Sequence, residues 1–278
     1  MRNTSARIRW FLFYVAVVLF VVFVLFPFFW QIRTSIMPPE QINKMPPDWL
    51  PSRWHFGYYV RVFTERPFLT FLKNSLIVAS TTTLVNVTIG AFSAYALARL
   101  RFPFKNLVLS LVLAVSMFPV IAIVSPLFLF MKNLKLLNTY TGLVLPYTTF
   151  ALPLCIWILT AFFREIPKEL EESGKVDGAT PMQTFTKIIL PLAAPGLFTS
   201  AILVFISAWN EFLLSLTFNT ADNMRTVPVG IALFSGEFEF PWGEIAAASV
   251  IVTVPLIIMV LAFQKRIIAG LTSGAVKG

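Results

Sequence analysis

Apolar residues run through this chain in long blocks with polar residues set between them, and neither a short amphipathic period nor a two-residue alternation dominates. Stretches free or nearly free of charge cover 10–32, 74–98, 106–131, 136–163, 188–210 and 245–264. Each reaches the roughly 20 residues that a helix needs to cross a hydrocarbon core of about 30 Å. The blocks therefore predict an all-α polytopic membrane protein with six spans, placed at 10–32 and about 72–98, 106–131, 136–163, 190–217 and 245–264. The first block follows Arg2, Arg7 and Arg9 as a cleavable signal would. Its apolar run is longer than a signal core, however, and Phe26-Pro27-Phe28-Phe29-Trp30 stands where small cleavage-site residues belong, so it is read as a retained span.

Prolines fall inside several blocks: Pro119 and Pro126 in the third, Pro146 and Pro153 in the fourth, Pro255 in the sixth. A proline at membrane depth frees a carbonyl and kinks the helix, which is tolerated where protein or a wet cavity covers the freed group. Small residues in the second block, Gly90, Ala91, Ser93, Ala94, Ala96 and Ala98, permit close helix packing.

The polar segments differ in what they carry. With a cytoplasmic N-terminus, the inside segments are 1–9, the loop before the third span, 164–190 and the tail 265–278, and they hold more than half of the 22 basic residues, as the positive-inside rule requires. Residues 33–70 and 218–244 are then external loops, and 71–264 is the transmembrane core. Pro38, Pro39, Pro46, Pro47 and Pro51 with Trp49 and Trp54 predict a compact first external segment at the membrane interface. In the second, Phe234, Phe238, Phe240 and Trp242 alternate with Glu237, Glu239 and Glu244, a mixture suited to a protein contact.

The 164–190 island parses into two short helices joined by a glycine. Pro167 suits a first helical position, Glu169 and Glu171 favour a helix start, and Gly178 suits a left-handed stop. Thr180-Pro181-Met182-Gln183 restarts the chain as a capping box. Along the first helix Leu170, Ser173, Gly174, Asp177 and Gly178 recur at three-to-four spacing and make a face of mostly small side chains that permits close docking.

Composition agrees and narrows the chemistry. At 278 residues, 57% hydrophobic, 13% charged and mean hydropathy +0.79, the chain lies outside the soluble range. The net charge of +9 is a topology signal, since no basic face interleaved with aromatics marks a nucleic-acid surface. Cys155 is the sole cysteine, so no intramolecular disulfide can form, and His55, the sole histidine, lacks partners for a metal site or a catalytic triad. No glycine-rich phosphate loop of Walker type occurs, so the chain is not itself an ATPase.

Glu172-Ser173-Gly174, three residues to Gly178, nine more to Ile188, then Leu190-Pro191, resembles the cytoplasmic coupling loop of ABC importer permeases. Trp209-Asn210-Glu211-Phe212, Thr226-Val227-Pro228-Val229-Gly230 and the ending 264–278 extend the likeness over nearly the whole chain. Together they resemble a carbohydrate-uptake permease, the smaller six-span subunit of maltose- and trehalose-type importers. Ser173-Gly174 stand where that family often has two alanines, a small-for-small change.

The resemblance implies the type I ABC importer permease fold and a five-part assembly. Its other parts would be a second homologous permease, two copies of a cytoplasmic ATPase that bind ATP and Mg, and an external sugar-binding protein. It further implies ATPase coupling through Glu172, Ser173, Gly174, Asp177, Gly178, Ala179 and Pro191, and tail contact with the ATPases through Thr272, Ser273 and Gly274. Phe234, Ser235, Gly236 and Glu237 would probe the binding protein. Trp209, Asn210 and Glu211, an aromatic beside hydrogen-bonding groups at membrane depth, suit a sugar pathway. No cofactor, metal or covalent chemistry is expected of this chain. A secondary transporter is the alternative; it needs ion-coupling groups within the membrane, and Glu211 alone lies clearly in a span.

Overall fold

The computed structural model describes the backbone of residues 2–234 and 240–273, and side chains over 7–234 and 240–264. Its helices are α1 (Arg2–Ile36), α2 (Pro39–Ile42), α3 (Gly57–Thr64), α4 (Phe68–Arg99), α5 (Lys105–Ser116), α6 (Val120–Asn133), α7 (Tyr140–Glu165), α8 (Glu169–Val176) and α9 (Pro181–Gln183). A π-helical stretch (Thr184–Ile189) follows, then α10 (Leu190–Leu192), α11 (Ala194–Trp209), α12 (Leu213–Phe218), a 3₁₀ turn (Asp222–Met224), α13 (Val227–Ala232) and α14 (Trp242–Ser273). Among the described residues four helices are long and apolar enough to cross a membrane: α1, α4, α7 and α14. Two bent pairs bring the number to six if each is one span.

Those pairs show what proline does here. Of the prolines inside apolar blocks, Pro126, Pro146, Pro153 and Pro255 stay within helices. Pro119 instead separates α5 from α6 at a 90° bend. It has no N–H to donate and pushes Phe118 out of helical geometry, so α5 closes with the short bonds Met117 N to Ala114 O and Phe118 N to Val115 O, each 3.2 Å. The stretch expected as a kinked span at 106–131 is therefore two arms. The stretch that opens at 190 is bent by 76° between the segment ending at Leu192 and α11.

The chain divides into two bodies, residues 1–67 with 231–254 and residues 68–230 with 255–278. In the first body the apolar window of α1 is fully uncovered, its side chains free to meet lipid or another subunit. Trp30 and Trp49 meet edge to face at 6.2 Å, and Arg33 lies over Trp30 while donating to Asp48 O. Hydrogen bonds from Lys44 and Gln41 hold the Asp48 carboxyl below the usual carboxylate range. Glu244, in the first turn of α14, is 5% exposed and ion-paired with Arg66 at 2.9 Å and Arg61 at 3.6 Å. This carboxylate anchors residues 57–66 to α14. Arg66 also covers the ring of Phe234, which is buried.

In the second body α4, α7 and α11 pack together over a core that includes Ala91, Ala94, Cys155, Leu159, Phe163, Phe185 and Val204. Small residues on α4 set the approach. A Cβ at Gly90 would stand 2.7 Å from Cys155 Sγ, so glycine there lets α7 close on α4 with Cys155 as a small buried core residue. The N-terminal end of α4 holds the segment ahead of α13. Asn74 Nδ2 donates to Asn223 O and Arg225 O at 2.9 Å each, and Val227 N donates to Ser75 Oγ at 2.8 Å. Gly230 abuts the Phe71 ring with no room for a side chain, which accounts for the glycine of Thr226–Gly230.

Candidate functional site

The polar island folds as its local signals predict. Three acids fill the first turn of α8, where they complement the helix dipole. At the other end Gly178 takes φ +79°, Ala179 N donates to Gly174 O at 2.9 Å and Gly178 N to Lys175 O at 3.1 Å, a Schellman stop. Thr180 and Gln183 form the capping box: Gln183 N donates to Thr180 Oγ1 at 3.3 Å and Thr180 N to Gln183 Oε1 at 2.9 Å. The N-terminal side departs from expectation. Pro167 lies outside α8, which begins at Glu169 behind the N-cap Lys168, while Ile166 is extended.

The face of small residues divides. Glu172, Ser173, Asp177, Gly178 and Pro191 are exposed and Ala179 is half-buried. Gly174 instead turns inward, where a Cβ would meet Ile188 Cδ1 at 2.7 Å. Val176 at 87% exposure and Met182 at 57% add apolar surface that α8 and α9 present outward. A pairing that sequence reading passed over holds α8 in place: Glu171, read only as a helix-start acid, is ion-paired with Arg99, the last residue of α4, its Oε1 2.7 Å from Nε, and Arg99 donates to Ile166 O. No local pattern marks that pair, because 72 positions of chain separate its members.

The sugar-pathway trio separates too. Trp209 is 6% exposed and stacks on Phe205 at 5.6 Å, so its indole is committed to packing and does not offer a face to a ring. Asn210 is the C-cap of α11 and donates to Ile206 O at 2.9 Å. Glu211 accepts from Leu214 N at 2.7 Å and Ser215 N at 3.1 Å, capping α12, and also from Tyr147 Oη. Of the three, Glu211 alone lines a cavity of about 190 Å³, with Tyr147, Ser207 and Phe150 among its other walls. A carboxylate, two hydroxyls and an aromatic ring are the groups a neutral polyol can use. In the first body a cavity of about 390 Å³ is walled by Trp30 and Trp242, with Gln31, Thr34 and Asn43.

Among the residues expected to probe a binding protein, Phe234 is buried beneath Arg66 and is not a surface group. Ser235, Gly236 and Glu237 lie outside the described residues. Phe240 and Trp242, 62% and 50% exposed and stacked at 5.1 Å, are exposed aromatics further along the same loop. In the tail, α14 runs to Ser273, so Thr272 and Ser273 are helical, and Gly274 lies outside the described residues. Among the described residues no cluster of His, Cys, Asp or Glu could hold a metal ion. His55 packs edge to face on Tyr58 at 4.6 Å.

Comparison with known proteins joins these features to a family. A sulfoquinovosyl glycerol transport system permease of Agrobacterium fabrum is 44% identical over 91% of this chain and 89% of its own length. A trehalose transport system permease of Mycobacterium tuberculosis is 48% identical over 94% and 95%, and a trehalose/maltose transport system permease of Thermococcus litoralis 46% identical over 95% of both. A bacterial ABC transporter involved in alginate import shares the fold, at TM-score 0.83 and 22% identity over 95% of this chain and 98% of its own. Residues 86–273 match the family described as binding-protein-dependent transport system inner membrane component, and the chain, an all-α membrane permease of ABC importer fold, belongs to that family.

Proposed function

We propose that this chain is the smaller permease of an ATP-driven importer that takes up a di- or oligosaccharide of the trehalose or maltose kind, handed over by an external sugar-binding protein. A second homologous permease and two cytoplasmic ATPases complete the machine. The observation that carries the reading is the α8–Gly178–α9 projection, two capped helices with exposed Glu172, Ser173, Asp177 and Gly178 and bare Val176 and Met182. Apolar surface of that kind on a rigid, capped polar loop fits a protein groove. The 48% and 46% relatives, named for trehalose and for trehalose and maltose, support that kind of sugar.

ATP and Mg belong to the ATPases, whose closure draws α8 and α9 toward them. The permease pair then turns its central cavity from one face of the membrane to the other. The sugar passes Tyr147, Ser207 and Glu211, and residues 235–242 meet the binding protein. No residue of this chain makes or breaks a covalent bond. Glu211, the carboxylate that an ion-coupled alternative would need, is already occupied by three donors.

Purification through a tag on this chain should bring down a second permease and an ATPase. Vesicles holding that complex should take up trehalose or maltose in a vanadate-sensitive manner that requires ATP and a binding protein. Uptake driven by an ion gradient without ATP would overturn the reading.

Orientation has its own check. With Cys155 replaced by alanine, single cysteines at the exposed Ser52 and Ser173 should react with an impermeant reagent from opposite sides, Ser52→Cys from outside. Labelling from one side only would reverse the assignment of 33–70 to the exterior.

A further inference from the structure

We propose that Arg99 is a positioning residue that fastens α8 to α4, so that a pull on α8 reaches α4 directly and does not depend on the covalent link to α7. The inference rests on the reading of α8 as the surface that docks the ATPase.

Two connections lead out of α8 toward the long helices. The covalent one passes through Ile166, which is extended, and Pro167, which is in no helix. Such a link transmits tension, but it lacks the hydrogen-bonded continuity that would carry rotation. The second is non-covalent and stiff. Arg99 Nε stands 2.7 Å from Glu171 Oε1 as an ion pair while the guanidinium donates to Ile166 O, so one planar cation holds α8 by charge and the link before it by a hydrogen bond.

The ion-paired side chains are 5% and 13% exposed, shielded from the water that weakens surface pairs. Beside them Phe185 of the π stretch sits among Phe92 at 5.0 Å, Tyr95 at 4.9 Å and Phe163 at 6.3 Å, and Ile188 closes on Gly174. The ion pair ends on the last residue of α4, and the aromatic cage on the last turns of α4, through Phe92 and Tyr95, and of α7, through Phe163.

What α4 does with the load follows from its far end. Its 32 residues span about 48 Å as helix. The other terminus carries Asn74 and Ser75, which hold the backbone at Asn223, Arg225 and Val227. Tyr140 Oη donates to Asn74 Oδ1 at 2.8 Å and ties α7 to the same point. Motion imposed at Arg99 is thereby delivered along one rod to the segment that leads into α13.

The test is a cycle of variants in the reconstituted complex: Arg99→Lys, Glu171→Gln and the pair together, each read as sugar taken up per ATP hydrolysed. The sugar is trehalose or maltose, whichever the unaltered complex transports. Lysine keeps the charge but lacks the planar fork that reaches the carboxylate and Ile166 O together. Each single variant should assemble with its ATPases and hydrolyse ATP, with uptake per ATP reduced about tenfold, within the usual range of coupling between sites. The double variant should be no worse than either single, because both remove one contact.

Unchanged uptake per ATP in assembled variants, or single losses that multiply, would overturn the proposal. So would failure of Arg99→Lys to assemble, which would assign Arg99 to folding alone. An unaltered complex that shows no ATP-dependent uptake at all would instead remove the reading of the chain as an importer subunit.

Discussion

A Gly178→Val chain is expected to insert in the membrane yet bind its ATPases about thirtyfold more weakly, while Gly178→Asn binds them nearly as well as the original. The cause is backbone geometry. Gly178 takes φ +79°, and an ideal Cβ there meets nothing within 4 Å, so bulk clashes with nothing inside the chain. Left-handed backbone costs an L-residue roughly 1–2 kcal/mol, with β-branched side chains worst and asparagine the mildest, and 1.4 kcal/mol is a factor of about ten. Valine would relax by giving up the Schellman bonds to Gly174 and Lys175 and swinging α9 away from α8. Aspartate tolerates the same backbone nearly as well as asparagine. Any loss in Gly178→Asp beyond that of Gly178→Asn therefore measures charge or contact at the docked ATPase. Equal binding by valine and glycine in a pull-down would detach the turn from coupling.

Glu244→Ala is expected to destabilise the folded chain by about 3 kcal/mol, the low end for breaking a buried ion pair, because Arg66 and Arg61 keep some access to water. Glu244→Gln keeps an acceptor for Arg66 and should cost less. Thermal unfolding of the detergent-solubilised protein reads both. An alanine variant with an unshifted midpoint would mean that the two arginines find other partners without loss.

Local signals carried much of this structure into the sequence. The capping box at Thr180 and Gln183, the left-handed Gly178 and the acidic first turn of α8 depend on neighbours within a few residues, and each is found. The apolar blocks likewise fix that helices exist, since length and hydropathy decide that alone. What escaped was set by distant partners. Arg99 looks like an ordinary loop charge and Glu171 like a helix-start acid until α8 folds against the end of α4. Phe234 and Glu244 read as surface groups because nothing nearby announces that Arg66 will cover the one and pair with the other.

Trp209 differs, since its partner Phe205 stands one turn earlier in α11 and the stack follows from helical spacing. Pro119 lies between these cases. A disturbance was legible, but a proline says that a helix must yield without saying whether it bends gently or turns by 90°.

The π-helical stretch Thr184–Ile189 gives the counted interval between Gly178 and Ile188 a geometric meaning. A wide turn of this kind holds an extra residue relative to the α-helix around it. Re-formed as regular α-helix with the same residues, the segment would carry everything beyond it round by about 100° and push it out by about 1.5 Å relative to α8. The interval thus acts as a phase setting. It fixes the azimuth at which Leu190-Pro191 and α11 leave the docking surface, and a shift in that angle would swing Ser207 and Glu211 off the cavity they line without altering a single side chain in it.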